Sequence, residues 1–235
     1  MVAPSTSAEP SGPAGDRDSL LAPLLLVLTI VTGLVDSVSY LALGRVFVAN
    51  MTGNVVFLGF AVAGASGFSI PASLAALAAF LIGALVGGRL AASLAQKRRA
   101  FFAVVMLVKF ALIGTAFILV VAAGDLESVQ YGLIVCLALA MGLQNAAARS
   151  LAIPDLTTTV LTLTLTGLAA DSSPAGGSNP RVGRRLLATV AMFVGAAVGA
   201  FLVLRMGVAA ALLLTLTLLG LNALAAGALW RRSVA

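Results

Sequence analysis

Two groups of polar side chains interrupt an otherwise apolar sequence. The first holds Asp36, Asn50, Thr52 and Asn54; the second holds Asn145, Asp155, Thr157, Thr158 and Thr159. In hydrocarbon each such group costs on the order of 1–3 kcal/mol or more, so it needs a partner or a purpose. A carboxylate, two or three amides and a row of hydroxyls can contact a cation, a proton or a small polar solute. The same groups can also satisfy backbone freed by a break in a helix. Covalent catalysis is not within their reach. The chain has no histidine and one cysteine, Cys136, and no nucleophile–base pair can be assembled from what remains. Gly176-Gly177 has no Walker lysine. The expectation is a protein that is not an enzyme, with no metal and no cofactor.

Composition says where such groups must sit. Of 235 residues, 61% are hydrophobic and 9% charged, against roughly 25% charged in a soluble domain. The mean hydropathy is +1.13. Too few polar side chains exist to cover a soluble globule, so the chain reads as an all-α polytopic membrane protein whose first partner is the lipid bilayer. The net charge of +6 fits basic cytoplasmic loops better than nucleic acid, which is not an expected partner.

Residues 1–19, rich in Pro, Ser, Ala and Gly, read as a disordered cytoplasmic tail. Spans are expected near 20–43, 71–95, 101–123, 129–149, 185–204 and 207–230, each long enough for a core of about 30 Å. The stretches 46–64 and 153–170 differ: one holds Asn50, Thr52, Gly53 and Asn54, the other opens at Pro154-Asp155 and is dense in threonine. If neither crosses, both termini are inside, and so are Arg17, Arg89, Lys97, Arg98, Arg99, Arg149, Arg181, Arg184, Arg185, Arg231 and Arg232. Only Arg45 and Arg205 then lie outside, with Lys109 within a span; if both stretches cross, the asymmetry nearly vanishes. The positive-inside rule therefore favours six spans with two broken or re-entrant segments.

An internal repeat agrees. Gly33-Leu34-Val35-Asp36 aligns with Gly142-Leu143-Gln144-Asn145, the segment 50–56 with 155–161, and Phe80–Gly87 with Met192–Gly199. The expected organisation is a first repeat over 20–123 and a second over 124–235, with a cytoplasmic linker at 171–184. Three spans per half make the halves inverted, a plan that places sites near the midplane.

The run Thr32–Asp36, the run Gly44–Asn54 with its Asn-Met-Thr-Gly-Asn segment, Ala140–Ala146 and Pro154–Thr159 resemble the YoaK family of small bacterial multi-pass inner-membrane proteins. The resemblance extends from Leu20 to about Trp230. It implies a membrane location and a fold, and no substrate.

Each polar group has a functional and a structural reading. Asp36 either contacts a cation, proton or substrate, or caps backbone in the broken segment beside it. Asn50, Thr52 and Asn54 either line an outer half-site or cap a half-helix. Asn145, Asp155, Thr157, Thr158 and Thr159 would line the inner half. Thr158, Thr162 and Thr166 share one helical face, although their hydroxyls can equally bond to their own i−4 carbonyls. Lys109 is expected to snorkel to the cytoplasmic interface. Gly83-x-x-x-Gly87 and Gly195-x-x-x-Gly199 read as close helix packing. The expected function is a secondary transporter or channel for a small solute or ion. The alternative is a non-transporting module that binds a lipid or organises a partner protein. A homo-oligomer is compatible with either.

Overall fold

The computed structural model describes residues 13–123, 125–151, 161–178 and 182–231. These are all-α. The helices are α1 (Pro13–Ala42), α2 (Met51–Val62), α3 (Ile70–Ser93), α4 (Arg98–Ala123), α5 (Gln130–Leu151), α6 (Leu161–Ala170), α7 (Val182–Met206) and α8 (Val208–Arg231). A 3-10 turn at Ser173–Ala175 precedes α7. Among the described residues, six helices are long and apolar enough to cross a membrane, while α2 and α6 span 12 and 10 residues. The expected spans therefore stand within a few residues of their predicted bounds. At the N-terminus the expected tail is shorter: α1 begins at Pro13, so 13–19 is helical, and residues 1–12 lie outside the described residues.

Burial sorts the helices. In α1 and α5, 67% and 61% of the most apolar stretch is buried, against 22–33% in the other four long helices. The two form the centre; α3, α4, α7 and α8 surround it and expose Leu81, Leu85, Leu107, Phe193, Leu204 and Leu224. In water such a surface would aggregate, whereas in lipid it is the expected exterior.

The packing has an exchange pattern. Helix α1 packs on α7 and α3 on α5; α4 packs on α5 and α8 on α1; α2 packs on α3 and α6 on α7. Exchanging α1–α4 for α5–α8 turns each contact into another observed one, and α4–α8 and α1–α5 map onto themselves. The glycines show how close the crossings are. A Cβ on Gly83 would collide with the Leu139 carbonyl, and one on Gly142 with that of Phe80. At the matching positions, Gly195 lies on the Ile30 carbonyl and Gly33 on that of Met192. Backbone thus meets backbone at both crossings, so the glycine motifs do the packing expected of them.

Candidate functional site

Helix α1 ends at a left-handed Gly44 (φ 87°) followed by a left-handed Arg45 (φ 56°). This reversal sends the chain back along the helix it has just left. Tyr40 and Phe47 stack with ring centroids 5.0 Å apart, and the Ala49 N–H donates to Asp36 Oδ1 at 3.1 Å. Residue 47 is therefore level with 40, and 49 with 36. Asp36 lies six residues before the end of α1, a descent of roughly 9 Å. Helix α2 begins there, at Met51.

The Asn-Met-Thr-Gly-Asn segment holds this return in place. Asn54 is fully buried; its Oδ1 accepts from the Phe47 N–H at 2.8 Å, and its Nδ2 donates to the Phe47 carbonyl. Gly53 lies under the same residue, where a Cβ would be 2.7 Å from the Phe47 ring. The ring continues a stack through Phe57 to Phe68, which ties the returning loop to α2 and to the turn into α3. Asp36 and Asn54 are thus brought together, and both act on backbone. Asn50 precedes α2 without a side-chain cap bond, and both it and Thr52 are exposed.

In the second half, Asn145 is partly buried and its Nδ2 donates to the Met141 carbonyl at 2.9 Å. Asp155, Thr157, Thr158 and Thr159 lie outside the described residues. On α6, Thr162 and Thr166 are both exposed and Thr164 is buried, while Thr158, the third member of the expected face, lies outside the described residues. That burial pattern follows the packing of α6 on α7.

A polar string that the sequence reading did not assemble crosses the centre. Lys109 on α4 is fully buried, and its Nζ donates to Gln144 Oε1 on α5. Gln144 Nε2 donates to Thr32 Oγ1 on α1 at 2.9 Å, and Thr32 donates to the Leu28 carbonyl at 2.8 Å. An ammonium has donors only, so it fixes which end of the Gln144 amide faces it. Every member is 0% exposed. Helices α3, α4, α5 and α8 contain no Asp or Glu, and among the described residues Lys109 makes no ion pair.

This corrects the expectation that Lys109 snorkels. It is the twelfth of 26 residues in α4, roughly 16 Å from the helix start. Its side chain is sealed between helices and does not follow the lipid face to the interface. A sequence signal existed: Lys109 lies 14 residues before Ala123, and Gln144 lies 14 residues after Gln130. Two antiparallel helices joined by a short turn bring equidistant residues face to face.

Six long apolar helices around a sealed polar string define a polytopic α-helical membrane protein. The chain belongs to the family described as protein of unknown function (DUF1275), which matches residues 24–225 and so includes Thr32, Asp36, Asn54, Lys109 and Gln144. It is similar to the UPF0700 transmembrane protein YoaK of Bacillus subtilis, with 36% identity over 160 residues. That alignment covers 64% of this chain and 66% of the relative, so the chain spans just under two thirds of that protein's length. No solved structure matches the chain.

Proposed function

We propose that the protein is a secondary transporter or channel for a small solute or ion, with the Lys109–Gln144–Thr32 string as its central contact. The observation that carries this reading is the sealed lysine. A buried cation is costly in hydrocarbon, and a methionine would fill the same space without that cost. Packing alone gives no reason to keep the charge at mid-depth on a helix that packs on the central α5. The exchange pattern of helix contacts supports two inverted three-span halves, over 20–123 and 124–235. The descent of 44–50 supports a re-entrant α2. In this arrangement both termini face the cytoplasm across a bacterial inner membrane, and no catalytic chemistry is required.

Flux into vesicles reconstituted with the full chain tests the proposal, against a panel of ions and small metabolites. Movement of at least one solute above protein-free vesicles is expected; none across the panel overturns the reading. Topology is checked separately by cysteines placed at Gly176 and at Glu127 in a Cys136→Ala background. They should label from opposite sides, and labelling from one side would remove the inverted arrangement. One observation favours a second reading, a non-transporting module that binds a lipid or organises a partner protein. Asp36 and Asn54, the most prominent polar residues of the first half, are both occupied by backbone. A correctly folded protein that moves no solute would favour that alternative.

A further inference from the structure

The end of α3, the start of α4 and the end of α5 meet around a cavity of about 430 Å³. Its walls are Ala91 and Leu94 at the end of α3, Phe101 in the first turn of α4, and Leu151 at the end of α5. The exposed Ala95 and two polar residues, Arg98 and Ser150, complete the lining. Arg98 Nη2 donates to the Leu151 carbonyl, which anchors the guanidinium at the cavity. The helix ends that form the rim also carry Arg89, Lys97, Arg99 and Arg149. Arg89, Lys97 and Arg149 are exposed, and their side chains bond to nothing among the described residues. No Asp or Glu occurs in 89–123 or 130–151 to offset these charges.

We infer that this cavity binds the headgroup of an anionic phospholipid from the inner leaflet. Both halves of the chemistry match. The arginine-rich rim suits a phosphodiester, which accepts paired hydrogen bonds from guanidinium groups. The apolar wall of Leu94, Phe101 and Leu151 suits the first carbons of an acyl chain. The volume lies within the range of sites that take a molecule of this size. This part rests on the orientation proposed above, in which the rim lies at the cytoplasmic face, where anionic lipid attracts basic clusters. This site needs no solute to be moved, so it stands apart from the transport reading.

The test uses the full chain reconstituted in vesicles of equal parts phosphatidylcholine and phosphatidylglycerol. After extraction in mild detergent, the retained lipid is measured by mass spectrometry. Wild type should retain phosphatidylglycerol over phosphatidylcholine. Lys97→Gln combined with Arg149→Gln removes two exposed charges and should lower that enrichment on the order of tenfold. Ala95→Trp, which fills the cavity from an exposed wall position and leaves every charge in place, should abolish it. The inference is overturned by equal retention of both lipids in wild type. It is also overturned if either variant retains phosphatidylglycerol as wild type does. Inorganic phosphate that stabilises the detergent-solubilised protein as much as phosphatidylglycerol would assign a soluble anion instead.

Discussion

The clamp at 36–54 and the string through Lys109 are both buried polar constructions, and they differ in what they hold. In the clamp, Asp36 and Asn54 bond to the backbone of a loop that has left its helix. Each polar side chain there answers a backbone group that hydrocarbon would otherwise leave unpaired. In the string, Lys109, Gln144 and Thr32 bond to one another across three helices, and only Thr32 reaches backbone, at Leu28. Regular helices do not need such bonds, since their backbone is already satisfied. The clamp explains itself by the fold; the string does not. Conspicuous polar residues in a membrane sequence can therefore be the ones with structural work, and an isolated lysine can be the one without it.

Breaking the string at its middle should have the largest effect. Gln144→Leu leaves the Lys109 ammonium buried with no acceptor, which should lower stability by roughly 3–5 kcal/mol, seen as a fall of many degrees in melting temperature. A loss under about 1 kcal/mol would mean that the ammonium finds water or another partner, and that the string is not closed.

Asn54→Ala comes next. It strips both bonds from the Phe47 backbone and should cost about 2–3 kcal/mol, with cleavage by protease first appearing in 43–50. Flux should fall only as far as the folded fraction does. A variant that stays fully folded and loses flux would move the clamp into the functional machinery and erase the contrast between the two regions.

Much of the clamp was legible in advance, and little of the string was. The Asn-Met-Thr-Gly-Asn segment stands out because amides and glycine are rare in a spanning stretch, and its break in the helix was expected. What escaped was its direction: the left-handed Gly44 and Arg45 that turn the chain back, and the aromatic stack through Phe47, depend on contacts between elements. The helix crossings were legible because small residues at matching positions have one main use in a bilayer. Lys109 on its own helix shows only its depth, which fits a snorkelling side chain. The equal distances of Lys109 and Gln144 from the turn become informative only when α4 and α5 are taken as a hairpin. Thr32 gave no signal, since a threonine in a helix ordinarily bonds its own i−4 carbonyl, as this one also does.

The smallest effects are expected at the exposed members of the first group. Asn50→Ala and Thr52→Ala should each change stability by less than about 0.5 kcal/mol in thermal unfolding, because neither side chain holds backbone or core. A loss of more than about 1 kcal/mol at Thr52 would show that the clamp extends to the surface of α2.

Lys109→Met combined with Gln144→Leu, which removes both ends of the contact and leaves Thr32 on the Leu28 carbonyl, tests the central claim most directly, with flux in reconstituted vesicles measured beside melting temperature. Replacing both partners of a buried polar contact by apolar side chains of similar volume is often neutral or stabilising. The account predicts a variant that melts at or above the wild-type temperature and moves no solute. Wild-type flux with a lowered melting temperature would contradict it, and would make the lysine part of the framework.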